Sequence, residues 1–238
     1  MLKAVILAGG KGTRLKPYTT VFPKPLMPIG DKPILEIIIR QLKAHGIEDI
    51  ALMVGHLGEL VMAFFGDGSK FGVNIHYFKE ETPLGTVGGL SLLKGELDDS
   101  FLMINGDTLT TLNFSEFMEY HRSNNAIATI TLCSRRIDID FGVVEVDRSI
   151  GQIKGYTEKP TIERLVSIGV NALQPQILDY IYPNKYMDFP SLVHNLLANE
   201  RIVKAYIFDG YWLDIGRPED YEQANIEIEK ISGQLGIG

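Results

Sequence analysis

Arg14 and Lys24 stand in the stretch AVILAGGKGTRLKPYTTVFPKPLMPIG, beside Gly9, Gly10 and Gly12 and among several prolines. A glycine-rich loop after an apolar run lets backbone N–H groups approach a ligand with no Cβ in the way, and phosphate is the ligand such loops usually hold. A guanidinium binds phosphate oxygens bidentately, while an ammonium set between Pro23 and Pro25 is a point charge on a stiff backbone. Further on, Asp107 closes the apolar run FLMING, and Asp214 follows Trp212-Leu213. A lone Asp more often caps a turn or helix. Two carboxylates at the ends of separate strands suit a Mg²⁺ ion that takes its remaining ligands from phosphate and water.

Two familiar phosphate loops fail on inspection. A Walker A loop needs Ser or Thr after Gly-Lys, and here Gly10-Lys11 is followed by Gly12. A dinucleotide fingerprint starting at Gly10 and Gly12 needs a small residue where this chain has Leu15, and the end of the second strand, Met53-Val54-Gly55, lacks the acidic residue of a dehydrogenase. What remains is a longer pattern, A-G-G-x-G-T-R-L-x-P-x-T followed by P-K-P-L-x-P-I and K-P-x-L-E.

With that pattern the chain resembles the sugar-phosphate nucleotidyltransferases. Ala8 to Leu15 and Pro23 to Leu26 match the two N-terminal motifs, and PLGTVGG (83–89), NGD (105–107), EKP (158–160) and WLDIG (212–216) follow in the family's order. The resemblance implies condensation of a nucleoside triphosphate with a sugar 1-phosphate, with Mg²⁺, to give a nucleotide sugar and pyrophosphate. It implies Arg14 and Lys24 as the catalytic cations and Asp107 and Asp214 as metal ligands. Leu7, Ala8, Gly9, Gly10, Gly12 and Thr13 are expected to bind nucleotide together with Pro83, Gly85 and Thr86. Glu158 is expected on sugar hydroxyls and Lys159 on the sugar phosphate, with Gly142, Gly169 and Asn171 around them. The E-x-P-L-G-T-x-G form resembles mannose-1-phosphate and heptose-1-phosphate guanylyltransferases, which favours GTP; uridylyl- and thymidylyltransferases of glucose or aminosugar phosphates are the alternative. Non-catalytic, nucleotide-sugar-sensing relatives typically lose the cations or carboxylates, whereas Arg14, Lys24, Asp107, Lys159 and Asp214 are all present.

The elements that must position these residues can be read from periodicity. AVILA, DIALMV, VNIHYF, SFLMING and AIATITLC are strand-like, and PILEIIIRQLKAHG, LGELVMAFFG, VGGLSLLKGEL and FSEFMEYHRS between them are amphipathic. This alternation predicts a Rossmann-like α/β fold: a mostly parallel sheet, helices on both faces, and ligands beyond the strands' carboxyl ends. The rhythm changes near Ile137. FGVVEVD and IGQIKGYTEKP read as strands joined by a turn over Asp147 to Gly151, LVSIGVNAL as a further strand, and PQILDYI and FPSLVHNLLANE as helices. VKAYIF, YWLDIG and the helix PEDYEQANIEIEKI then return to the sheet. The expectation is one domain over 1–238, with a nucleotide-binding half (1–136) and a smaller sugar-phosphate lobe (137–238).

The chain has 238 residues, a net charge of −7, one cysteine and 45% hydrophobic residues. Its acidic balance argues against a nucleic-acid footprint, so a polyanionic ligand must be met by a few local cations and a metal. Cys133, in a strand-like run, reads as a buried inert thiol, and none of the five histidines has metal-ligand spacing. Met1-Leu2-Lys3 runs straight into the first strand, no apolar run is long enough to span a bilayer, and the chain stops soon after its last helix. A cytoplasmic protein with no membrane partner and no appended C-terminal domain is therefore expected, with a homo-oligomer left open.

Overall fold

A seven-stranded sheet forms the centre of the computed structural model, which describes residues 3–236. The strands in chain order are β1 (Lys3–Ala8), β2 (Pro28–Ile29), β3 (Lys32–Pro33), β4 (Asp49–Val54), β5 (Asn74–Lys79), β6 (Phe101–Asn105), β7 (Thr108–Thr110), β8 (Ala128–Asp138), β9 (Val143–Asp147), β10 (Gln152–Thr157), β11 (Thr161–Leu173), β12 (Val203–Ile207) and β13 (Trp212–Asp214). The helices are α1 (Ile34–Ala44), α2 (Gly58–Phe65), α3 (Gly85–Gly88), α4 (Phe114–Ser123), α5 (Phe189–Ala198) and α6 (Pro218–Ile231). The sheet order is β12-β8-β11-β6-β1-β4-β5, and only β11 runs antiparallel to its neighbours. Met1 and Leu2, where the sequence places the lead into β1, lie outside the described residues.

Alternation along the buried strands builds two cores. In β1, Ala4, Ile6 and Ala8 face one side and Val5 the other; in β6, Leu102 and Ile104 oppose Phe101 and Met103. Side chains of α1, α2, α4 and α6 cover the first face, and those of α5 with the 3₁₀ turns Gly89–Leu93 and Pro175–Tyr180 cover the second. Helices thus lie on both faces of a mostly parallel sheet. Among the described residues, no helix is long and apolar enough to cross a membrane.

Local chemistry sets the element ends. Pro33 is the N-cap of α1, and the helix ends just before Gly46, whose φ is +73°. Asn113 caps α4 by accepting from Ser115 N and Glu116 N, and Asp188 caps α5 by accepting from Ser191 N at 2.9 Å. Two expected helices differ: PQILDYI is a 3₁₀ turn, and VGGLSLLKGEL becomes the short α3 followed by another 3₁₀ turn. In both, tertiary docking of a few apolar side chains onto the sheet replaces helix length as the stabilising factor.

After residue 137 the chain does leave the sheet. The far ends of β8 and β11 pair beyond it as an exposed ribbon, and β9 and β10 form a separate two-stranded sheet around the expected turn. The inner part of β11 then pairs with β6.

Candidate active site

The loop after β1 is fixed from both sides by backbone. Gly106 N donates to Leu7 O at 2.9 Å, and His56 N donates to Gly9 O at 3.3 Å. Gly55 lies so near that a Cβ there would stand 2.7 Å from Gly9 O. Gly12, at φ +58°, turns the chain into the 3₁₀ turn Thr13–Leu15, and its carbonyl accepts from the buried Thr19 hydroxyl at 2.7 Å. The result is a cleft of about 1070 Å³ at the carboxyl ends of β1, β4, β5 and β6. Of the expected nucleotide residues, Leu7, Gly9, Gly10, Pro83, Gly85 and Thr86 line it, as does Asp107. Ala8 is buried beneath the loop, and Gly12, Thr13, Arg14 and Lys24 do not form its wall.

Those two cations instead meet the two carboxylates. β13 pairs antiparallel with β7, with Asp214 opposite Thr108, and Ile215 N donates to Asp107 O at 3.0 Å. This pairing brings together two aspartates that are far apart in sequence. Asp107 lies two residues past the end of β6, in the turn into β7, rather than on the strand itself. Lys24 donates to Asp107 Oδ2 from a side chain only 11% exposed, presented by a 3₁₀ turn that starts after Pro23. Arg14 is open to solvent and lies 4.0 Å from Asp214 Oδ2. Burial, and next the facing charge of Asp107, push the Asp214 carboxyl above its ordinary range, and Lys24 and Arg14 only partly offset this.

A buried carboxylate such as Asp214, facing a second carboxylate, is a donor whose charge a divalent cation would relieve. Among the described residues no cluster of three or more His, Cys, Asp or Glu side chains could enclose a metal. Two carboxylates supply oxygen donors of the kind a hard divalent cation takes together with water and phosphate oxygens.

The residues expected to hold a sugar phosphate fall into two groups. Glu158 Oε2 accepts from the Tyr156 hydroxyl at 3.0 Å, and a Cβ on Gly142 would collide with that hydroxyl, so Gly142, Tyr156 and Glu158 share one exposed corner of the hairpin. Lys159 follows, exposed, in the left-handed region at φ +45°. Gly169, at φ +78°, lies against Asn105, whose amide would stand 2.5 Å from a Cβ there, and against Thr108. Asn171 is buried where β11 lies between β6 and β8, with its Oδ1 unpaired, so the structure sets it apart from the exposed corner.

Several cleft residues carried no separate signal in the sequence. Met53, Gly55, His56 and Glu59 arrive at the end of β4 and start of α2, Lys79 and Glu80 at the end of β5, and Tyr186 from the segment before α5. Glu80 accepts from Leu84 N at 3.0 Å, closing the turn that presents Pro83, and burial raises its carboxyl pKa. The EExPLG spacing could have suggested that role.

Fold and site together define a class: a doubly wound α/β protein in which two cations and a carboxylate pair converge beside a glycine-lined cleft at the strand ends. The family model for nucleotidyl transferases matches residues 3–231. The chain belongs to that family, within which its relatives act on sugar phosphates. It is 36% identical, over 99% of its length and 68% of the relative's, to UTP–glucose-1-phosphate uridylyltransferase of Synechocystis sp., and 33% identical, over 94% of its length and 64% of the relative's, to mannose-1-phosphate guanylyltransferase of Mycobacterium tuberculosis. The chain spans about two thirds of the length of these curated relatives. Among solved structures it is similar to a putative glucose-1-phosphate thymidylyltransferase from Bacillus anthracis (26% identity, 95% and 94% of the two chains, TM-score 0.77) and to HddC from Yersinia pseudotuberculosis (27%, 96% and 100%, TM-score 0.75).

Proposed function

We propose that this chain transfers the nucleotidyl group of a nucleoside triphosphate to a sugar 1-phosphate, releasing pyrophosphate. The observation that carries the proposal is the convergence of Lys24, Asp107, Arg14 and Asp214 beside a glycine-lined cleft. Such a reaction joins two polyanions, so charge neutralisation and alignment are what the protein must supply. The sugar phosphate is already an anionic nucleophile near neutral pH and needs no strong base from the chain.

In this reading the backbone at Gly9 and Gly10 receives the triphosphate. Lys24, held by Asp107, places its charge at the α-phosphate, where negative charge grows as the new P–O bond forms and the bond to pyrophosphate breaks. Arg14 meets the departing phosphates. Asp107 and Asp214 would hold Mg²⁺, which when bound offsets phosphate charge and orients the reacting groups. Glu158 and Lys159 hold the sugar hydroxyls and phosphate so that its oxygen attacks in line.

The base and sugar rest on finer grounds. GTP with mannose or heptose 1-phosphate is our first choice, supported by the E-x-P-L-G-T-x-G segment and by several guanylyltransferases among the relatives. The uridylyltransferase of Synechocystis sp. and the putative thymidylyltransferase from Bacillus anthracis support the alternative, UTP or dTTP with glucose or an aminosugar phosphate. A non-catalytic sensor is disfavoured because both cations and both carboxylates are in place.

Pyrophosphate release with Mg²⁺, measured over a grid of GTP, UTP, CTP, ATP and dTTP against mannose, glucose, heptose and N-acetylaminosugar 1-phosphates, tests the proposal. Release that needs one triphosphate and one sugar phosphate together is the expected result. Folded protein that binds nucleotide sugar yet releases no pyrophosphate in any combination sinks the enzyme reading in favour of the sensor.

A further inference from the structure

The segment that leads into α5 is fastened to the cleft more tightly than a connecting loop requires. Met187 N donates to Leu84 O at 2.8 Å, and Met187 O accepts from both Val87 N at 3.1 Å and Gly88 N at 3.2 Å. Backbone meets backbone here because two glycines permit it. A Cβ on Gly85 would stand 2.5 Å from Met187 O, and one on Gly88 would stand 2.5 Å from Lys185 O. Gly85 is also at φ +80°, a conformation that strains any other residue.

Between those two anchored positions sits Tyr186. Its ring lies over Gly85, 3.1 Å from where a Cβ would be, and lines the cleft beside Pro83, Gly85 and Thr86, yet the residue is 70% exposed. A large ring held open to water on a fixed backbone forgoes the apolar burial that usually places aromatics, and it regains that burial only when a ligand covers it. Flat, sequence-tolerant stacking partners for such a ring are nucleobases. Leu7 and Met53 add apolar lining to the same cleft, which the glycine loop and Asp107, the proposed metal ligand, also line.

We infer that the Tyr186 ring stacks on the base of the bound nucleoside triphosphate, presented by the 185–187 backbone that is strapped to the 84–88 turn. The inference rests on the nucleotide reading of the cleft proposed above. Because stacking uses the ring face and not the hydroxyl, it governs affinity for the triphosphate without selecting among bases.

Calorimetric titration of the whole protein with GTP, UTP, CTP, ATP and dTTP, each with Mg²⁺ and without sugar phosphate, separates the possibilities. Tyr186→Ala is expected to weaken binding of whichever triphosphate the wild type accepts by about tenfold or more, and Tyr186→Phe to bind as the wild type does. In turnover, Tyr186→Ala should raise KM for the triphosphate and leave KM for the sugar phosphate unchanged, a split that a purely structural role would not produce. Wild-type affinity in Tyr186→Ala overturns the inference while leaving the proposed function standing. Equal weakening in Tyr186→Phe overturns stacking in favour of the hydroxyl. A wild type that binds none of these triphosphates overturns the nucleotide reading itself, and the inference with it.

Discussion

Lys24 is paired with Asp107, which fixes the direction of its ammonium. Preorganised charge acts most strongly where negative charge develops, and Lys24→Ala is expected to lower kcat/KM by on the order of 10²–10³ with little change in KM for the sugar phosphate. Steady-state kinetics with both substrates varied would check this. Asp214 shows the opposite side of the same design. Its carboxyl is kept above the usual range by burial and by Asp107, so its ionised form costs the folded chain stability. Asp214→Asn should therefore melt no lower than the wild type while losing Mg²⁺-dependent turnover. Activity kept near wild type would refute the metal-ligand role, and a drop in melting temperature would refute the stability cost of the ionised carboxylate.

At the scale of elements, α4 carries a buried polar group that the site does not use. His121 is fully buried, its Nδ1 pairs with the Thr129 hydroxyl at 2.8 Å, and burial pulls its pKa down to about 4. An unfolded chain protonates the same imidazole near the ordinary value of about 6.5, so the unfolded state binds more protons between the two values. Stability from this residue is present above about pH 6.5 and is lost as pH falls toward 4, by about 2 kcal/mol at pH 5. Denaturant titrations at pH 7 and pH 5 should show that loss in the wild type and a smaller one in His121→Leu. The turn at residues 84–88 is the other element with a clear liability. Gly85→Ala introduces a Cβ into Met187 O at a left-handed position and is expected to weaken triphosphate binding by displacing both Pro83 and Tyr186. Retained affinity in that variant would mean that the turn does not hold the nucleotide.

Across the whole molecule, the proposed substrates are divided between the parallel sheet and the hairpin that leaves it. Lys159→Ala, on the exposed β10–β11 connection, is expected to raise KM for the sugar phosphate about tenfold or more while triphosphate binding is unchanged. The same change in both constants would place Lys159 on the shared phosphate-transfer centre instead. β13 has the reverse function: its short antiparallel pairing with β7 carries Asp214 from the second half of the chain to Asp107 in the first, with Lys24 and Arg14 closing the group.

Local sequence determined a good deal of this by itself. The apolar runs of the sheet strands, the helix of residues 34–44 and the turn between β9 and β10 were legible because each depends on neighbours within a few residues. The motif residues Gly9, Gly10, Lys24, Asp107 and Asp214 stood out through the resemblance to the nucleotidyltransferases, and the fold gathers Lys24, Asp107 and Asp214 beside the cleft that Gly9 and Gly10 line. Tertiary structure decided what spacing could not reach. It set the antiparallel course of β11, the 3₁₀ form of PQILDYI, the burial of Asn171 and the placement of Tyr186 on the cleft. Each depends on which distant strand or turn lies alongside, and long-range pairing is set by packing of the whole chain, with no periodic trace in the segment itself.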